Sequence, residues 1–170
     1  AITQDFLALS STLAASNIGY LIDWRDSASP SLLYGLLEAG ANVRVAQRPF
    51  TASIIEQGRI DFGYGSLLVT PRLNDSIPAS ALALLKNAAD NGLPVYPVAS
   101  SHTVQGIDLG SRDFHVLQMP KVLIATGAGT SAYDVGEIWH LLDRRVQMPL
   151  TMVDTHQLPR INLADYTHVI

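Results

Sequence analysis

What most constrains this chain is a repeated alternation. A short apolar run is followed by an amphipathic stretch at helical spacing, a Gly or Pro turn and another short apolar run. Segments of this kind hide their apolar faces only by layering helices on strands, so the alternation predicts βα units in a mainly parallel sheet flanked by helices. The first unit opens with a strand over residues 18–22. Ser29 and Pro30 then start a helix, because serine can accept an orphan N–H bond and proline at the first helical position has no N–H to waste. Leu32, Leu33, Leu36 and Leu37 form one stripe, Gly40 can take the left-handed conformation that stops a helix, and residues 42–46 make a second strand.

A helical turn over 52–57, stopped by Gly58, is expected next, then a strand within 62–69. Pro78 precedes a helix with Leu82, Leu85 and Ala89 on one face and Asn91-Gly92 at its end. Residues 93–98 read as a strand whose two prolines, each lacking a donor, place it at an edge or in irregular pairing. Residues 99–113 are polar and read as loop, and 114–119 as a brief strand or linker. Residues 1–170 are therefore expected to form a single α/β domain or fragment, with an internal boundary near 99–119 between two α/β halves. The second half restarts with a strand over 122–125, a turn at Gly127-Ala128-Gly129-Thr130-Ser131 and a helix over 131–145 carrying Val135, Ile138, Trp139 and Leu142 on one face. Ser131 with Asp134 approximates a capping box. A strand over 150–153, a short helical turn near 162–166 and a last strand over 167–170 complete the pattern. A chain that stops inside a strand reads as a piece of a longer fold.

Composition closes off several functions. With 48% hydrophobic and 15% charged residues, the chain has too much apolar surface and too little charge for disorder. Its length suffices for one real core, burying roughly 70% of the extended surface. The net charge is −4, the only lysines are Lys86 and Lys121, and no basic stripe exists. Neither a nucleic-acid backbone nor an anionic membrane surface is an expected partner. No apolar run reaches the roughly 20 residues of a spanning helix, so membrane insertion is not expected. The absence of cysteine excludes disulfides, thiolate zinc sites and a cysteine nucleophile.

Candidate chemistry is sparse. The glycine turn at 127–131 lies between a strand and a helix, where backbone N–H groups can cradle an anion. It lacks the Gly-Lys-Ser/Thr ending of a Walker loop and the third glycine of the dinucleotide fingerprint. Asp154 follows the next strand, at the edge where α/β sheets hold ligands. Gly127, Gly129, Thr130, Ser131 and Asp154 are therefore the candidate ligand-binding residues, and a sterically required turn is the competing account of the glycines. Glu137 and His140 have a spacing seen in some metal carboxylate sites, but no third ligand joins them in sequence. Asp23, Asp154 and His156 would support hydrolysis only if one cleft gathered at least two of them. No catalytic or metal-ligating residue is assigned, and no cofactor is expected in this chain.

The stretch PKVLIATGAGTSAYDVGEIWHLLDRRVQMPLTMVD, residues 120–154, followed by LADYTHVI, resembles a region downstream of the catalytic domain in large bacterial M14-family zinc carboxypeptidase-like proteins. Gly19-Tyr20-Leu21-Ile22, residues 62–69 and Gly106-Ile107-Asp108-Leu109-Gly110-Ser111 resemble the same region. The resemblance implies a flavodoxin-like or class I glutamine amidotransferase-like fold and a periplasmic or secreted parent. It implies an accessory role beside a peptidase domain of the same polypeptide, with zinc held in that domain. The family's HxxE zinc motif has no counterpart here, and the amidotransferase cysteine is missing, so no catalytic residue carries over. A small molecule or peptide remains an expected partner in either the accessory reading or a ligand-binding reading.

Overall fold

A computed structural model describes residues 13–170. Strand β1 (Tyr20–Ile22) leads into helix α1 (Ser29–Glu38) and strand β2 (Asn42–Ala46). A hairpin of β3 (Phe50–Ile54) and β4 (Gly58–Phe62) follows, then β5 (Leu67–Thr70), α2 (Ala79–Asp90) and β6 (Val95–Pro97). After them come β7 (Gln105–Gly106), β8 (Phe114–Val116), β9 (Val122–Thr126) and α3 (Ala132–Trp139). A π-helical segment (His140–Arg145) continues α3, and β10 (Thr151–Asp154) and β11 (His168–Val169) close the order.

The expectation of a mainly parallel, flavodoxin-like or amidotransferase-like sheet is overturned. Among the described residues there are three sheets, and eight of the eleven strands are antiparallel. The largest has the order β6-β1-β5-β2-β8, and every neighbouring pair in it is antiparallel. The reason is topological. β1 and β2 do run the same way across the α1 crossover, but β5 lies between them. β5 and β6 likewise run the same way across α2, with β1 between. Two interleaved split β-α-β units therefore produce an antiparallel sheet from parallel-looking sequence.

Both crossover helices cover one face. Tyr20, Ile22, Val43, Leu67, Val69 and Val95 point there, against Leu32 and Leu36 of α1 and Ala81 and Leu85 of α2. The alternate residues, Leu21, Ala46, Leu68 and Phe114, point to the opposite face, as a period of two requires. That face is covered by the second sheet, β4-β3-β7. Phe50 stacks on Phe62 with ring centroids 5.2 Å apart and meets Phe114 edge-on at 5.2 Å. The helical turn expected over 52–57 is instead strand β3 and the hairpin turn, with Glu56 and Gly58 at positive φ.

The helix ends follow the sequence more closely. Pro30 lies in the first turn of α1, but the Ser29 hydroxyl donates to the Asp23 carbonyl at 2.7 Å instead of capping the helix. Gly40, at φ 76°, closes α1 with the Gly40 N–H on the Leu37 carbonyl and the Ala41 N–H on that of Leu36. Gly92 closes α2 in the same manner, the paired bonds of a Schellman ending. β6 is an edge strand, as its prolines require.

The third sheet, β10-β9-β11, is parallel. Its centre is β9, where Val122, Leu123 and Ile124 are buried. It meets the first layer at Tyr34 of α1, which packs in one cluster with Val122, Ile124 and Met148. Burial raises the Tyr34 hydroxyl above its ordinary pKa, with the nearby Glu38 charge adding to the shift.

Candidate functional site

The parallel sheet creates one site by its connectivity. From β9 the chain passes through α3 to β10 on one side, then returns to place β11 on the other. The carboxyl ends of the strands form the edge where open parallel sheets usually hold ligands. The glycine turn after β9 and the loop after β10 meet there.

Gly127 and Gly129 have φ of 95° and 87°. These values favour glycine, because a Cβ would crowd the backbone. The Thr130 hydroxyl donates to the Gly127 carbonyl at 2.9 Å, and Thr155 donates to the Ala128 carbonyl at 3.1 Å. The Thr155 N–H also reaches the Thr126 carbonyl at 2.8 Å. Asp154 pairs in register with Thr126, and its Oδ2 lies 2.6 Å from where a Gly127 Cβ would stand. Its Oδ1 accepts from the His156 N–H at 2.9 Å. Ser131 caps α3, its hydroxyl accepting from the Asp134 N–H at 3.4 Å. Of the five candidate ligand-binding residues, Gly127 and Thr130 line one end of an open groove between α3 and β10, Asp154 lies against Gly127, and Gly129 and Ser131 belong to the same turn without lining the groove. Replacing Ser131 by alanine is expected to cost about 0.5–1 kcal/mol in urea unfolding, the low end for a cap because the bond is long.

Comparison with protein-family models, with curated proteins and with solved structures found nothing that matches this chain.

Other candidates are placed elsewhere. Asp23 follows β1 in the largest sheet, whereas Asp154 ends β10 and His156 follows it in the parallel one, so only Asp154 and His156 are neighbours, joined by the His156 backbone N–H and not by its ring. Asp23 is held by Arg25, whose Nε donates to both carboxylate oxygens at 3.0 and 2.9 Å. This hydrogen bond, together with the guanidinium charge, keeps the Asp23 carboxyl below its ordinary pKa against a smaller opposing effect of burial. A depressed folded-state pKa stabilises the fold above the ordinary carboxylate range, and the contribution disappears as pH falls through the depressed value. Asp23→Asn should therefore flatten the acid limb of the stability profile in pH-dependent thermal unfolding. Arg48 faces Asp113 at 3.6 Å. Glu137 and His140 are both exposed. Among the described residues no group of three or more His, Asp or Glu is placed to hold a metal ion.

Of the expected stripe, Val135, Ile138 and Leu142 are half-buried against the cluster of Tyr34, Val122, Ile124 and Met148, although no residue of α3 is fully buried. The expected continuous helix over 131–145 also changes to π geometry from His140, which shifts the angular phase of later side chains. Trp139 lies with Ala132, Val135, Gly136 and Met152 along an open groove between α3 and β10. The available signal was Gly136, a residue costing about 1 kcal/mol relative to alanine inside a helix. A Cβ at Gly136 would have no neighbour within 4 Å. Gly136→Ala should therefore raise stability by about 1 kcal/mol in thermal unfolding.

Proposed function

We propose that this chain is a non-catalytic accessory unit of an M14-like zinc carboxypeptidase working in the periplasm or as a secreted protein. Its partner is the peptidase domain of the same polypeptide, and the zinc belongs to that domain. The resemblance of residues 120–154 and the segments upstream supports the family. The observation that carries an accessory role is the exposed apolar side chains of α3 and the π-helical segment after it, Tyr133 at 87% and Leu141 at 50%. Exposed apolar side chains of this kind suit contact with another protein surface. Among the described residues no helix is long and apolar enough to cross a membrane. Sedimentation of the chain with an M14-type zinc carboxypeptidase domain naturally joined to such a region tests the reading. A complex weakened by Tyr133→Asp and Leu141→Asp is expected; two independently sedimenting species would refute it.

A small-ligand or anion-binding module is the second reading, supported by the open groove that Gly127 and Thr130 line and by the approach of Asp154 to Gly127. Gly129→Val forces a β-branched residue to positive φ, a strain of about 1–3 kcal/mol. It should abolish binding while leaving a measurable unfolding transition. Calorimetric titration with inorganic phosphate and small organic ligands checks this, and unchanged affinity in the variant counts against this reading.

A further inference from the structure

The groove between α3 and β10 has a volume of about 450 Å³ and reaches Thr126 and Gly127 at one end. Met152 and Asp154 are two residues apart on β10, so they share a face of the strand. Asp154 Oδ2 also approaches Gly127, which lines the end of the groove, so the carboxylate stands one residue behind that end without itself lining it. Oδ1 is engaged by the His156 N–H; among the described residues no donor occupies Oδ2. Together α3 and β10 carry Asp134, Glu137 and Asp154 but no lysine or arginine. Gly136 leaves space along the wall that any larger side chain would fill.

The geometry points to this groove as a binding site for a small amphipathic amine. The apolar body lies along Val135, Trp139 and Met152, and the ammonium meets the Asp154 carboxylate. Charge complementarity selects a cation over an anion here, and burial of the apolar body supplies the non-directional part of the affinity. The assignment rests on the groove being a ligand site and specifies the occupant's charge.

Titration of the methionine-methyl-labelled chain with phenethylamine, neutral phenylethanol and inorganic phosphate provides the test, with Met152→Leu assigning the relevant signal. Phenethylamine should shift the Met152 methyl saturably, with phenylethanol binding about tenfold more weakly. Asp154→Asn retains the Oδ1 acceptor for His156 and should bring the amine down to the alcohol's affinity. Gly136→Leu should remove both responses while keeping or raising Tm. Absence of a saturable amine shift, or unchanged amine affinity in Asp154→Asn, overturns the proposal. A saturable phosphate response without an amine response also overturns it but leaves the groove as a ligand site, whereas silence toward all three probes removes both.

Discussion

Gly19→Ala is expected to destabilise the chain by about 3 kcal/mol. Gly19 has φ 147°, and a Cβ there would lie 2.3 Å from the Val69 carbonyl oxygen. That oxygen belongs to β5, the direct neighbour of β1, so relief requires the two central strands to separate. The Gly19 carbonyl also accepts from the Val98 N–H at 3.0 Å, which ties the same residue to the strand on the other side. For a domain of this size the loss corresponds to a fall in Tm of about 6–12 °C. Urea unfolding should show a lower midpoint at unchanged slope. A loss below about 1 kcal/mol would mean that the close approach is relaxed at little cost.

Tyr34→Ala should cost about 3 kcal/mol, within the range for removing a buried aromatic ring. Tyr34 is 8% exposed and is the α1 residue that shares a cluster with Val122, Ile124 and Met148. Its effect should be uneven. Amide exchange is expected to accelerate most in β9, which loses its contact with α1, and in β10, which pairs with β9, and least in β1 and β5. Uniform acceleration would show instead that the parallel sheet and the larger antiparallel sheet unfold as one cooperative unit.

Elements were easier to read than neighbours. The start of α1 at Ser29-Pro30, the Gly40 and Gly92 stops, and the burial of Leu36 on α1 and Leu85 on α2 are local signals that survive folding, whereas Leu82 of the expected α2 face is exposed. The pairing of β1 with β5 instead of β2 is not local. A strand–helix–strand phrase has the same spacing whether the two strands touch or admit a third between them, so the parallel-sheet expectation followed from grammar alone. The β3–β4 hairpin was legible in principle: Phe50, Ala52 and Ile54, then Ile60 and Phe62, turn inward at alternate positions. The helix-favouring character of Ala52, Glu56 and Gln57 competed with that period of two, and tertiary pairing prevailed.

At the carboxyl edge of the parallel sheet, the strand–glycine–helix order located the turn, and Asp154 was recognisable from its place after a strand. The groove was not. Helical periodicity reports that one face is apolar but not whether another layer covers it. Val135 packs against the core cluster and also reaches the groove, whereas Trp139 is known to line the groove only once the position of Met152 is given.

Interleaving also dictates an order of events during synthesis. β1 finds its sheet partners at residues 67–69 and 95–97. At usual elongation rates, a ribosome needs about 4–15 s after making β1 to deliver the far partner. Throughout that interval Leu21 and Ile22, destined to be wholly enclosed, have no completed strand framework to shelter them. The nascent segment around β1 should consequently depend on chaperones most while residues 67–97 are still emerging.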